Sequence, residues 1–370
     1  MPIRHVVLSS TVRRAVWRLA LVASAWSSGC TVDEGEGSEI DVANQEVDAA
    51  GNPLEPLHFI GRFDRSDPRA PVFEWSGSAI WTRFAGTRIS VQLGGSANDF
   101  ELEIDGVRQP VLVHPGGDRT YVLASGLPAR QHDLKLTRRT EAFFSTSVFR
   151  GFTGARLVGT RRPARHIEVI GDSITCGYGV TGAGPGCSFS HDTEAETRAW
   201  AARTADQLGA THHAICWSGI GASRNFNDEP GMLMPQRYPL ILPNENTGAW
   251  DFSVRPQAVV INLGTNDFSV GVDPGARYVT AMIAFVAQVR GHYPAVPIVL
   301  TTSPMLGGSQ HTTQRGYLET VAQSDANTTV LDLPEQQASD GFGCDFHPSE
   351  VTAQKMADRL KARLRDLLSW

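Results

Sequence analysis

The chain has 370 residues, enough for two ordinary domains. Hydrophobic residues make up 41% of it and charged residues 19%, which predicts a packed core and excludes a wholly disordered protein. The formal net charge of -6 argues against nucleic acid as the main partner.

Residues 1–30 have the pattern of an export signal. Several arginines precede a short apolar run, LALVASAW, which is too short to cross a bilayer as a helix. Gly29-Cys30 resembles the end of a bacterial lipobox, in which the cysteine is lipidated and becomes the mature N-terminus. Cleavage after Ala25, giving a soluble secreted protein, is the alternative. We expect an exported cell-surface or periplasmic lipoprotein whose one membrane contact is a lipid anchor at Cys30.

Residues 31–56 follow with eight acidic residues and no basic or aromatic ones. Such a segment cannot bury enough apolar surface to fold. We therefore predict an acidic disordered linker that acts as an extended tether.

Residues 57–160 have the pattern of short β-strands. Apolar residues alternate with other residues in SAIWTRF and TRISVQL, and Asp105-Gly106 between two such runs is a strong hairpin signal. We predict an all-β sandwich of jelly-roll topology with no helix. This accessory domain would either bind polysaccharide or pack against the next domain and line its cleft, and we favour the packed role.

Strands and helices alternate over residues 165–370. IEVI, AVVINLG and PIVLTTSP are predicted strands, and helices are predicted in ETRAWAARTADQLG, at about 274–294 and from about Pro348 onward. This alternation predicts an α/β/α domain with a mostly parallel sheet. Sites in such sheets form at the carboxyl ends of the strands.

Four residues with complementary chemistry follow predicted strands or precede the last helix. Ser173 lies in GDSIT, Gly219 in SGIG, Asn266 in GTND and His347 in DFHP. A serine hydroxyl becomes a useful nucleophile when a base such as His347 takes its proton. The backbone amides of Ser173 and Gly219 and the side-chain amide of Asn266 would supply three donors to an oxyanion.

These four blocks, in this order, resemble those of the SGNH (GDSL-type) esterases. With the preceding sandwich they resemble the second carbohydrate esterase family, over about residues 57–370. One block alone is a weak signal, whereas four in order are a strong one. The resemblance implies Ser173 as nucleophile, His347 as base, and Gly219 and Asn266 completing the oxyanion hole.

The same resemblance implies removal of acetyl groups from a polysaccharide such as xylan or glucomannan, without a metal or other cofactor. Two alternatives stay open. One is the same chemistry on another ester, such as O-acetylated peptidoglycan or a lipid. The other is a non-catalytic glycan-binding lipoprotein.

The chain departs from the family pattern beside the histidine. The wider superfamily places an aspartate three residues before it, where Cys344 stands, whereas Asp345 lies two before. Residues i and i+2 of an extended segment point the same way, so we expect the Asp345 carboxylate to orient the imidazole, with a backbone carbonyl as the alternative. Relatives often carry Trp in place of Phe346. We expect Phe346, Trp217 and Arg224 to contact substrate.

Four further cysteines lie beside these motifs: Cys176, Cys187, Cys216 and Cys344. An exported chain could pair them in three ways, and free buried thiols are the alternative. No C-x-x-C pair or His/Cys cluster has zinc spacing, so we expect no structural metal. Asp172 and Asp267 flank the site residues, and we expect both to bond loop backbone.

Overall fold

The computed structural model describes residues 47–50, 53–269 and 271–370. The predicted export signal, with Cys30, and residues 31–46 of the predicted linker lie outside the described residues. Within the predicted linker, Val47 forms a β-bridge with Pro53 and Glu55 forms one with Thr160, so its described residues take part in backbone pairing. Backbone pairing needs no apolar side chain, which is why composition did not predict it. Within the described ranges, no helix has the length and apolarity needed to cross a membrane.

Eleven strands form the predicted sandwich. They are β1 (His58–Ile60), β2 (Val72–Phe73), β3 (Ala79–Gly86), β4 (Ile89–Gly95), β5 (Asn98–Ile104), β6 (Val107–Arg108), β7 (Leu112–His114), β8 (Arg119–Ala124), β9 (Arg130–Arg138), β10 (Ser147–Thr153) and β11 (Arg156–Val158). One antiparallel sheet has the order β1-β3-β9-β5-β6, with β11 on β3 and β7 on β5. The other has the order β2-β10-β4-β8. Between β9 and β10 lies one turn of 3-10 helix, Ala142–Phe144.

The sandwich core lies between these two sheets. Phe84 and Leu134 from the first sheet pack in one cluster with Val91 and Phe149 from the second. The predicted hairpin is also present, since Ile104 pairs with Val107 across Asp105-Gly106. Both turn residues have the positive φ that such a turn requires, 52° and 75°.

The second domain contains the remaining strands and the six α-helices found among the described residues. The strands are β12 (His166–Gly171), β13 (Thr211–Cys216), β14 (Leu240–Leu242), β15 (Thr247–Ala249), β16 (Ala258–Asn262), β17 (Ile298–Thr301) and β18 (Thr328–Leu331). The helices are α1 (Ser173–Cys176), α2 (Trp200–Leu208), α3 (Met234–Arg237), α4 (Gly275–His292), α5 (Ser309–Ala322) and α6 (Glu350–Leu368). Helix α6 begins at Glu350 because the Ser349 hydroxyl caps it, accepting from the Thr352 amide at 3.3 Å.

The predicted parallel sheet is confirmed, with five strands in the order β13-β12-β16-β17-β18. Residues of α2 and α6 pack on one face of it, and residues of α4 and α5 pack on the other. The three strands nearest the site end level with one another, because Gly171 lies opposite both Cys216 and Asn262. The loops after these strands therefore start from one edge of the sheet.

The sandwich packs directly on this second domain. Trp75 of the sandwich is buried in the core cluster of the parallel sheet. The Arg62 guanidinium lies 3.4 Å from the Glu168 carboxylate, and both side chains are fully buried. Burying a charge costs free energy unless the charge is paired, so this ion pair holds the sandwich against the second domain.

Two disulfides decide among the three possible cysteine pairings. Cys176–Cys216 joins the end of α1 to the end of β13. Cys187–Cys344 joins the loop after α1 to the loop before α6. Both bridges therefore connect segments that carry or adjoin the predicted site residues.

Candidate active site

Ser173 and His347 are 174 residues apart in sequence and touch in the structure. The Ser173 hydroxyl lies 2.9 Å from His347 Nε2, which is hydrogen-bond distance. Ser173 is the first residue of α1, and Asp172 caps that helix by accepting from the Ile174 amide at 3.0 Å. The cap fixes the strand-to-helix turn that presents the hydroxyl.

The His347 imidazole is half-buried against the ring of Tyr178. The two ring centroids are 4.0 Å apart and the planes are inclined by 27°. Burial lowers the pKa of His347 to about 4, although the backbone carbonyls of Asp345 and Cys344 and the Asp345 charge act in the opposite direction. The imidazole is therefore neutral at neutral pH, which is the form that can accept a proton.

Asp345 does not hold the imidazole with its carboxylate, contrary to our expectation. His347 Nδ1 faces the Asp345 backbone carbonyl at 3.3 Å, which is the alternative that the sequence left open. The carboxylate instead accepts from the Tyr178 hydroxyl at 2.8 Å and from the Phe189 amide at 3.2 Å. The expectation assumed an extended segment, whereas Asp345 has φ 50° and ψ 39°, so the i, i+2 rule does not apply.

The three predicted oxyanion donors lie in one small region. Asn266 Nδ2 donates to the Ile220 carbonyl at 2.8 Å and lies 3.5 Å from Asp172 Oδ2. Asn266 thus touches the neighbour of Gly219 and the neighbour of Ser173. Among the described residues, the amides of Ser173 and Gly219 have no hydrogen-bond acceptor. Two free amides beside a nucleophile are what an oxyanion hole requires.

Gly219 lies in the turn Trp217–Ile220, which the Ile220 amide closes by donating to the Trp217 carbonyl at 3.3 Å. Its φ of 76° is a conformation that side-chain-bearing residues rarely adopt. The segment that follows the turn is held by the Asp267 carboxylate, as expected for a scaffold residue. Asp267 accepts from the amides of Ala222, Ser223 and Arg224 at 2.8 to 3.0 Å.

The three predicted substrate contacts have different surroundings. Phe346 is 59% exposed and is free to meet a ligand. Trp217 is half-buried, and the Arg237 guanidinium lies 3.5 Å from its ring centroid. The Arg224 guanidinium donates to the backbone carbonyls of Asp267 and Val272, so it has a structural use. Substrate contact by these residues stays a prediction.

Aromatic residues from separate segments line the site, and the sequence did not identify them. Tyr178 stacks on Phe189 at 4.0 Å, and Phe189 stacks on Phe144 of the sandwich at 5.5 Å. Phe143 meets Trp217 edge-on at 5.7 Å. The signal for this cluster was the pair Phe143-Phe144 in a polar stretch of the sandwich. An exposed aromatic, Phe226, is bonded through its amide to the Gly219 carbonyl at 2.8 Å.

Three histidines outside the site have structural partners. His212 Nε2 lies 2.7 Å from the buried carboxylate of Glu196, and His213 is buried beside Glu168. His191 packs on Phe144 with centroids 3.9 Å apart. In the part of the chain that the structure describes, no three His, Cys, Asp or Glu side chains are grouped as metal ligands.

Two family models match the chain. Residues 59–158 match the N-terminal domain of carbohydrate esterase family 2, and residues 169–355 match the GDSL-like lipase/acylhydrolase family. A solved family 2 carbohydrate esterase from Clostridium thermocellum, in complex with cellohexaose, is 40% identical with a TM-score of 0.82, over 85% of this chain and 99% of that one. The chain belongs to carbohydrate esterase family 2.

Curated relatives agree with this membership. The cellulase/esterase CelE of Acetivibrio thermocellus is 40% identical over 320 residues, and the match spans 84% of this chain but 39% of that protein. An acetylxylan esterase/glucomannan deacetylase of Cellvibrio japonicus is 28% identical over 333 residues, which is 84% of this chain and 91% of the relative. This family 2 chain therefore covers less than half of CelE and nearly all of the Cellvibrio enzyme.

Proposed function

We propose that the chain is a carbohydrate O-acetyl esterase that removes acetyl groups from an acetylated polysaccharide of the xylan or glucomannan class. The contact between Ser173 Oγ and His347 Nε2 carries the proposal. It lies at a strand end beside two amides that have no acceptor among the described residues. The named activities of the relatives support the substrate class.

The geometry supports a two-step mechanism. In the first step, Ser173 Oγ bonds to the acetyl carbonyl carbon while His347 Nε2 takes the hydroxyl proton. The carbonyl oxygen becomes an oxyanion that accepts from the amides of Ser173 and Gly219 and from the Asn266 Nδ2 hydrogen that does not bond the Ile220 carbonyl. The intermediate then collapses, the bond to the sugar oxygen breaks, and that oxygen leaves with the proton from His347.

The second step repeats the chemistry with water. His347 takes a proton from water, whose oxygen attacks the acetyl-serine carbonyl carbon. Collapse of the second tetrahedral intermediate breaks the bond to Ser173 Oγ, which recovers its proton from His347, and acetate leaves. The backbone carbonyl of Asp345 faces Nδ1 and stabilises the imidazolium that forms in each step.

Two exposed aromatic side chains, one beside the base and one beside the oxyanion donor Gly219, would contact the sugar. Phe346 directly precedes His347, and the Phe226 amide donates to the Gly219 carbonyl in the turn Trp217–Ile220, which we call the oxyanion turn. They are 59% and 47% exposed, respectively. An aromatic ring beside a polar site can pack against the apolar face of a sugar ring. This arrangement favours a carbohydrate ester over a free long-chain ester.

Hydrolysis of p-nitrophenyl acetate and p-nitrophenyl palmitate by wild type and Ser173→Ala tests the chemistry. We expect turnover of the acetate ester that is lost in the variant, and no turnover of the palmitate ester. Ser66→Ala, at an exposed serine of the sandwich, is the matched control and should keep full activity. Palmitate turnover would favour a lipid ester, and a folded wild type that cleaves neither ester would favour a glycan-binding protein.

We also propose that the chain is exported and anchored to the membrane by lipid at Cys30. The support is the basic and apolar N-terminal pattern that ends in Gly29-Cys30. Cell fractionation of wild type and Cys30→Ser tests it. Wild type should be in the membrane fraction and the variant should not, whereas wild type free in the culture medium would contradict the anchor.

A further inference from the structure

A carboxylate of the sandwich reaches the oxyanion turn of the second domain. Glu141 follows β9 and is fully buried. Its Oε2 accepts from the Ser218 backbone amide at 2.6 Å, and its Oε1 accepts from the Ser218 hydroxyl. Ser218 immediately precedes Gly219, so one sandwich side chain holds the residue next to an oxyanion donor at two points.

The bonds of Glu141 hold the residue that directly precedes the Gly219 amide. Ser218 and Gly219 are the two central residues of the turn Trp217–Ile220. The bonds to the Ser218 amide and hydroxyl fix the position of the Ser218 backbone, to which the peptide carrying the Gly219 N–H is attached. The direction of the Gly219 amide therefore depends on Ser218 staying in place.

The surroundings of Glu141 fix it in turn. Its amide donates to Glu194 Oε2 at 3.1 Å, and its carbonyl accepts from the buried Arg138 guanidinium at 2.8 Å. Glu194 is also fully buried, and its Oε1 has no donor among the described residues. Burial and the nearby Glu141 charge raise the pKa of Glu194 well above its usual range. Burial raises the pKa of Glu141 as well, while the two donors from Ser218 act in the opposite direction and favour its charged form.

We propose that Glu141 is a positioning residue for catalysis, through which the sandwich domain sets the oxyanion turn by holding Ser218. The proposal rests on the proposed esterase function and deepens it. It also gives the sandwich a use beyond covering the sheet. The domain supplies a part that the catalytic machinery needs.

The test compares kcat and KM for p-nitrophenyl acetate in Glu141→Ala, Glu141→Gln and Ser218→Ala. Glu141→Ala should lower kcat by about 10- to 100-fold, part of what loss of a whole oxyanion donor costs, with KM within about twofold. Glu141→Gln should restore most of the rate, because its amide can accept from the Ser218 amide and donate to the Ser218 hydroxyl. Ser218→Ala should lower kcat by about three- to tenfold, since it keeps the amide bond.

Glu101→Ala is the matched control. Glu101 is another sandwich carboxylate, and it pairs across the domain boundary with Arg198 at 3.5 Å but does not touch the turn. The control should keep the wild-type kcat. A folded Glu141→Ala with wild-type kcat, or an equal loss of kcat in Glu101→Ala, would overturn the proposal.

Two further measurements keep the proposal testable if Glu141→Ala does not fold or the ester is a poor substrate. Ser218→Ala changes a half-exposed side chain, and an unchanged kcat in that variant would count against the proposal. Amide hydrogen exchange over residues 217–221 needs no turnover. Exchange there should be faster in the double variant Glu141→Met/Ser218→Ala, which has no oxygen to accept from the Ser218 amide, than in Glu101→Ala. Equal exchange would overturn the proposal whether or not the chain hydrolyses esters.

Discussion

Replacing Asp345 by asparagine separates two ways of holding the catalytic imidazole. The change removes the charge but keeps the backbone carbonyl that faces His347 Nδ1 at 3.3 Å. In a protease triad, where the carboxylate itself bonds the imidazole, the same change lowers kcat by about 10⁴-fold. Here we expect a loss in kcat of less than about tenfold, because the bond to Nδ1 comes from the backbone.

The expected effect of Asp345→Asn on stability follows from the two hydrogen bonds that the Asp345 carboxylate accepts. The Tyr178 hydroxyl donates at 2.8 Å and the Phe189 amide at 3.2 Å. Bonds to a charged group each contribute about 1.5–3 kcal/mol, and solvent screening reduces that because Asp345 is exposed. Asparagine keeps one acceptor oxygen, so the free energy of unfolding should fall by about 1–2 kcal/mol.

The assay is steady-state hydrolysis of p-nitrophenyl acetate at neutral pH, with the folded fraction measured by circular dichroism. Asp340→Asn is the control, because Asp340 lies in the same loop and pairs with Lys355 at 2.6 Å instead of serving the site. Its kcat should be unchanged. A folded Asp345→Asn whose kcat falls by about a thousandfold or more would refute the backbone-carbonyl account.

Four further predictions follow from contacts already described. Burial lowers the pKa of His347 to about 4, so the base is neutral above that pH and kcat/KM should rise with pH up to about 4–5 and then stay level to neutrality. A fall in kcat/KM that already begins at about pH 6.5, the ordinary pKa of histidine, would contradict this. Asn266→Ala should lower kcat by about 10²–10³ with little change in KM, and an unchanged kcat would remove Asn266 from the oxyanion hole. Cys187→Ser removes the disulfide between two residues 157 apart, and the lost restriction of the unfolded chain costs up to about 5 kcal/mol of stability. The Tm of the variant should therefore fall clearly below that of wild type, and an equal Tm would count against the disulfide. Arg62→Met removes the arginine that is paired with the buried Glu168 and should lower the free energy of unfolding, measured in urea, by up to about 3–5 kcal/mol. Arg65→Met, at the nearby surface, should cost little, and equal losses would contradict the ion-pair account.

The sequence was sufficient to predict the fold and the meeting of Ser173 with His347. Apolar residues alternate with a period of two up to residue 160, and strands alternate with helices after it. These two patterns identify the two domains. In a parallel sheet the carboxyl ends of the strands share one edge, so residues that follow different strands meet there. The rule holds for any separation in sequence, so it applies to Ser173 and His347 although they are 174 residues apart.

The orientation of Asp345 could not be predicted, because it depends on a rare backbone conformation. Asp345 and Phe346 both have positive φ, 50° and 59°. Asp adopts that conformation only occasionally and Phe rarely, so their residue types do not predict it. The loop is fixed instead by its neighbours, since the Cys344 amide donates to the Gly179 carbonyl and the Asp345 amide donates to the Cys187 carbonyl.

The sequence favoured a sandwich that packs against the second domain, but it did not identify the sandwich residues that reach the site. Glu141 and Phe144 lie in a short segment between two strands, and their partners Ser218 and Phe189 come from the other domain. Contacts between domains leave no periodic pattern in either segment. The disulfide pairing was undetermined for the same reason, because each bridge depends on how loops meet in space.

Acetate released from acetylated xylan and acetylated glucomannan, by wild type and by Ser173→Ala at equal concentrations, tests the central claim most directly. The proposed function predicts that wild type releases acetate from at least one of the two polymers and that the variant releases none. Equal release by wild type and Ser173→Ala would contradict the serine mechanism. No release by a wild type that hydrolyses p-nitrophenyl acetate would contradict polysaccharide as the substrate.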